Sequence, residues 1–140
     1  MEDIVAMIQV IDWIADDIHY NTRGPKFYGM HLMADRMRDF RGAVDALKEK
    51  YWLGFLNTTP PSGKYFSQKA ISLYAKYENM DYLEAMDIAA GDLVSMVQSA
   101  KVDNGDELPR GVNAILDEIS SQALLCKFFS SSSMDFAIAK

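Results

Sequence analysis

The sequence predicts an all-α fold, with four long helices, two tight turns and one long crossover. Three observations carry this expectation. Apolar residues recur at helical spacing along most of the chain, nothing alternates with period two over a strand length, and Gly- and Pro-containing clusters divide the helical pattern. At 140 residues, one domain with a single core is expected. The predicted helical domain occupies residues 1–130. Residues 131–140, entered through the serine run Ser130 to Ser133, are expected to form a loose C-terminal tail.

The first helix is expected over 3–20, where Ile4, Ile8, Ile11, Ile14 or Ala15, and Ile18 form one stripe. Asn21-Thr22-Arg23-Gly24-Pro25 ends it, with a glycine for the terminus and a proline that cannot continue it. The second helix has the most regular pattern. Met30, Met33, Met37, Phe40, Val44, Leu47 and Tyr51 alternate spacings of three and four, the seam by which antiparallel helices pack. Gly54 and the run Asn57 to Gly63 stop this pattern. Residues 64–78 then read as a short helix inside a connection. A third long helix is expected over 81–102, with Leu83, Met86, Ala90 and Val97 inward and Leu93 or Val94 between them. A fourth is expected over 108–130, with Val112, Ile115, Ile119 and Phe129 inward, together with Leu124 or Leu125. Pro109 suits its first turn. Short links make the first and last pairs antiparallel hairpins, and the long middle link returns along the bundle. This is the ferritin-like four-helix bundle with a long B–C crossover containing a short helix.

The formal net charge of −6 argues against nucleic acid as a direct partner of the bare surface. No stretch is long and apolar enough for a membrane helix, and no signal peptide is visible, so no membrane partner is expected. The single cysteine, Cys126, excludes an intrachain disulfide and fits a reducing, cytoplasmic compartment. Its neighbours Leu124, Leu125 and Phe128 mark it as a core residue rather than a nucleophile.

Chemistry concentrates around the only two histidines. His19 and His31 flank the Gly24-Pro25 turn, and Asp35 follows His31 at i+4, one turn along the same face. Imidazole with carboxylate is a donor set for transition metals. The plain alternative is a solvated ion pair. Asp12, Asp16 and His19 form a second carboxylate–imidazole stripe, which also reads as an acidic solvated face. Asp45 and Glu49 are a further i, i+4 carboxylate pair, or simply surface charge among Lys48 and Lys50. The 18 residues from His31 to Glu49 span about 27 Å of helix. One chain therefore cannot bring both to one ion. A site that uses both needs a second, antiparallel chain and a two-fold axis. A metal inside the bundle would need Glu84, Asp87, Asp117 or Glu118 to face Asp16 and His19. None of these follows the Glu-x-x-His pattern of such centres.

The run from His19 through Tyr20, Asn21, Gly24, Phe27 and His31 to Asp35 resembles the signature of the Dps family, the mini-ferritins. That signature is His-Trp-Asn-x-x-Gly-x-x-Phe, then a histidine and an aspartate four residues later. Tyr20 replaces its tryptophan. The resemblance covers residues 3–130 and implies a homo-oligomeric, dodecameric cage that stores iron and protects against iron-driven oxidative damage. It implies ferroxidase centres at two-fold interfaces, where Fe(II) is oxidised by peroxide or oxygen. His19, His31 and Asp35 would come from one subunit, and an aspartate and a glutamate from its partner. Asp45 and Glu49 are the candidates for that second pair. They fall one residue short of the family spacing, which lands on Ala46 and Lys50. A distortion of the second helix would restore their register. Without it, the chain would be a Dps-like shell with a degenerate site that favours a lone ion, or zinc in place of iron. Many Dps proteins coat DNA; the Lys-rich tail associated with that is missing here.

Overall fold

The computed structural model describes residues 1–138, whose regular structure is all helical, with no strand among them. Six α-helices run in order: α1 (Glu2–Asn21), α2 (Phe27–Met37), α3 (Arg41–Leu47), α4 (Gly63–Tyr74), α5 (Tyr82–Asn104) and α6 (Arg110–Ile138). A π-helical segment, Lys48–Phe55, continues α3, and short 3-10 turns precede α2 and α6. No described helix is long and apolar enough to cross a membrane.

The stripe Ile4, Ile8, Ile11, Ile14 and Ile18 is buried, joined by Val5, Ala6, Met7, Val10 and Ala15. So broad an apolar face lets α1 pack against α2, α4 and α5 at once. Glu2 and Asp3 sit in its first turn, where the helix dipole favours negative charge. At its other end, Asn21 and Thr22 donate to the carbonyls of Asp17 and Ile18 at 2.9 and 2.6 Å, which occupies acceptors the helix leaves open. Gly24 then takes φ +81°, a left-handed conformation that suits glycine, and the chain reverses into α2. The hairpin is antiparallel: His19 meets His31, and Asp16 meets Arg38.

The second helix departs from its predicted continuity. The seam does face the core, with Met37, Phe40 and Leu47 buried, but residues 38–40 form a turn between α2 and α3. Side chains of α6 meet the backbone at this break. In an unbroken helix the carbonyls of Arg36 and Met37 would accept from the amides of residues 40 and 41. Here Gln122 Nε2 donates to the Arg36 carbonyl at 2.7 Å, and the Cys126 thiol donates to the Met37 carbonyl at 3.3 Å. Side chains that enter the ladder in this way break helices.

Cys126 is thus a core residue with a defined partner, and burial pushes its thiol up to about 12. The thiolate is the reactive form. Iodoacetamide at pH 8 is therefore expected to leave Cys126 unmodified in the folded chain and to modify it promptly in denaturant, as mass spectrometry will read. Rapid native labelling would contradict this placement. Cys126→Ala leaves the buried Met37 carbonyl without that donor and should cost about 1–3 kcal/mol in a urea melt.

Helix α4 starts at Ser62, whose hydroxyl accepts from the Tyr65 amide at 3.1 Å. It runs parallel to α1, because Tyr65 meets Glu2, Lys69 meets Asp3 and Tyr74 meets Asp17. Helices α5 and α6 are antiparallel: Lys101 pairs with Asp117 near their turn, and Lys127 and Ser131 reach Asp87 at the far end, at 3.1 and 2.8 Å. These contacts assign lysine partners to two of the carboxylates considered for an intrabundle metal. Tyr77, held by Asp92 and buried, has its phenol pushed upward, first by desolvation and then by that hydrogen bond.

Helix α6 also corrects the expected tail. It continues through the serine run to Ile138 instead of ending at 130, and Ser130 is buried with its hydroxyl donating to the Lys127 carbonyl. Residues 139 and 140 of the expected tail lie outside the described residues.

Candidate metal centre

The Gly24 reversal sets the last turn of α1 beside the first turns of α2. His19 stands at the end of one helix, and His31 and Asp35 are successive turns of the other. One donor atom from each of the three lies within 4.8 Å of the others. The imidazole centroids are 3.7 Å apart with the rings tilted by 42°, and Phe27 flanks His31 at 5.3 Å. His19 Nδ1 is 3.2 Å from Asp35 Oδ1. That contact has the distance of an ion pair without hydrogen-bond geometry, so Nδ1 of His19 keeps no hydrogen-bond partner. The Nδ1 of His31 is also buried without one.

Two buried imidazole nitrogens without hydrogen bonds among the described residues are costly as they stand, since both have lost water and only His19 Nδ1 has a carboxylate oxygen close by in exchange. A divalent cation would take one nitrogen from each ring. Donors about 2.1 Å from a shared ion sit roughly 3–4 Å apart, which small side-chain rotations reach from the observed separations. The donor set therefore fits a transition-metal ion. It is also incomplete. Three protein donors leave coordination positions open, and the His19 side chain is 13% exposed while that of Asp35 is 52% exposed. The cluster thus has a closed imidazole floor and an open carboxylate side. Around that side Tyr20, Phe27, Tyr28 and Leu32 all expose apolar surface.

The structure does not bring the other two predicted ligands into this cluster. Asp45, on α3, lines the same broad groove as Asp35, a space of about 860 Å³ that also touches Asp12 and Arg38. Glu49 lies on the π segment and is exposed. The turn at 38–40 separates both from the triad within one chain.

One residue at the site escaped the sequence reading. Arg38, at the C-terminus of α2, places Nη1 2.8 Å from Asp16 Oδ1 and Nη2 3.8 Å from Asp35 Oδ1. Its Nε and Nη2 are buried and have no hydrogen-bond partner among the described residues. The signal was present in the spacing: Arg38 is i+3 from Asp35 and i+7 from His31, so all three share a helical face. A search for ligands alone passes over a cation on that face.

Comparison with protein-family models, curated proteins and solved structures finds no match to the chain.

Proposed function

We propose that this chain is a Dps-like mini-ferritin that binds ferrous iron at His19, His31 and Asp35 and oxidises it at the junction of two copies. The observation that carries the reading is the convergence of one donor atom each from His19, His31 and Asp35, with a nitrogen of each imidazole buried without a hydrogen bond among the described residues. The helical arrangement supports it: two antiparallel hairpins, α1 with α2 and α5 with α6, are linked by a segment whose helix α4 lies along α1. That is what a ferritin-like bundle with a crossover helix requires. The break at 38–40 falls between Asp35 and Asp45, the stretch in which a one-residue offset must be absorbed. With Asp45 and Glu49 supplied by a second copy, the carboxylates would face the open side of the triad.

Iron is the substrate in this scheme. Each ferrous ion gives one electron to peroxide or oxygen, and the carboxylates compensate the charge gained. His19 and His31 orient the ion and keep it on the protein. The half-buried imidazoles leave the ion most open on the exposed Asp35 side, which a second copy would cover.

The second reading, a Dps-like shell with a degenerate site, is favoured by one observation: the Arg38 guanidinium lies 3.8 Å from Asp35, where it opposes a metal ion. One measurement separates the readings. Light scattering is expected to give a twelve-subunit particle under both. Anaerobic Fe(II) loading followed by peroxide should yield ferric product faster than a protein-free control under the first only. In that case Asp45→Ala or Glu49→Ala should abolish the acceleration, and unchanged rates would remove both residues from the site.

A further inference from the structure

The Asp35 oxygen that approaches His19 is also the one nearest Arg38: Oδ1 is 3.2 Å from His19 Nδ1 and 3.8 Å from Arg38 Nη2. A distance of 3.8 Å is too long for a hydrogen bond. Arg38 is instead drawn aside by Asp16, which takes Nη1 at 2.8 Å and leaves Nη2 and Nε without partners although those atoms are buried. A guanidinium carries five donors in a rigid fork and pairs best with both arms engaged. Arg38 therefore holds unused donors beside the one carboxylate that the triad needs.

We propose that Arg38 is a resident counter-cation of the metal site, held off Asp35 by Asp16, and that this Asp16–Arg38 pair sets the site's affinity for divalent ions. The inference rests on the metal-site reading above and adds a positioning role for two residues outside the ligand set. With Asp16 present, Arg38 is anchored on α1 and Asp35 is free to turn toward a metal. Without Asp16, Asp35 is the remaining carboxylate at ion-pair distance from that guanidinium among the described residues, and entry of a metal would require a tightened Arg38–Asp35 pair to break. The positive charge beside the site opposes a divalent ion in either case. Arg38 is 27% exposed and Asp16 38% exposed, so both can be changed without opening the core.

The test is calorimetric titration of the folded chain with cobalt(II), in wild type, Arg38→Gln, Asp16→Asn and the double variant. Arg38→Gln is expected to bind about tenfold tighter than wild type, and Asp16→Asn about tenfold weaker. In the double variant the effect of Asp16→Asn should largely vanish, because Asp16 acts through Arg38. The gain from Arg38→Gln should also shrink in high salt, as an effect of charge must and an effect of packing need not. Arg38→Met, which retains the aliphatic stem, repeats the comparison if the glutamine variant melts early.

Wild-type affinity in both Arg38 variants overturns the inference and leaves the metal site standing. Asp16→Asn weakening binding equally with and without Arg38 overturns the anchoring role. Absence of cobalt binding in all four chains overturns the metal site itself, and this inference with it.

Discussion

Replacing His31 by alanine is expected to lower divalent-cation affinity by well over the roughly 10–100-fold that loss of an outer-shell contact costs. His31 supplies one of only three converging donors, and its Nδ1 is buried with no protein partner to hold it otherwise. The same change should cost little stability. The ring is half-buried and contacts His19 and Phe27, so about 1 kcal/mol is at stake in the metal-free chain. The signature is this separation of effects. In wild type, cobalt(II) at 100 times its dissociation constant should stabilise the fold by about 2.7 kcal/mol through mass action. In His31→Ala, thermal melts with and without cobalt should coincide. A metal-induced shift that survived the substitution would place the ion elsewhere.

Ile11→Ala is expected to have the largest effect on folding. Ile11 is fully buried near the middle of α1, the helix that contacts α2, α4 and α5. Truncation removes three methyl or methylene carbons and leaves a space that three neighbouring elements cannot all close. Such substitutions cost about 2–5 kcal/mol, against a total stability of about 5–15 kcal/mol for a domain of this kind. Urea denaturation should show the midpoint falling with an unchanged slope. A loss below about 1 kcal/mol would mean that α1 is not the central element of the core. The site should weaken with it, because His19 reaches His31 and Asp35 from the last turn of α1.

The helical class and the inward faces were legible because periodicity is a local property. Ile4 to Ile18, and Met37, Phe40 and Leu47, lie buried where their spacing puts them. The break in the second helix was not legible. The side chains that take up its carbonyls, Gln122 and Cys126, lie 86 and 89 residues away. No local rule connects Met37 with Cys126. The serine run misled for the opposite reason. Its composition suits a tail, yet Ser130 packs inward and Ser131 bonds Asp87 across the helix pair.

The candidate site divides in the same way. His19, His31 and Asp35 could be read together because a tight turn and one helical repeat separate them, and the folded chain brings their donors within 4.8 Å. Arg38 lay on the same face, but its effect depends on Asp16 from the neighbouring helix. Asp45 and Glu49 remain outside the cluster of a single chain, and only a second copy could bring them to it.

Anomalous diffraction from crystals grown with cobalt(II) tests the central claim most directly. A peak is expected about 2.1 Å from one nitrogen each of His19 and His31 and from an Asp35 oxygen, with a carboxylate of a two-fold-related copy on its open side. A fully loaded crystal with no peak at this triad, or with its only peak on other residues, would contradict it.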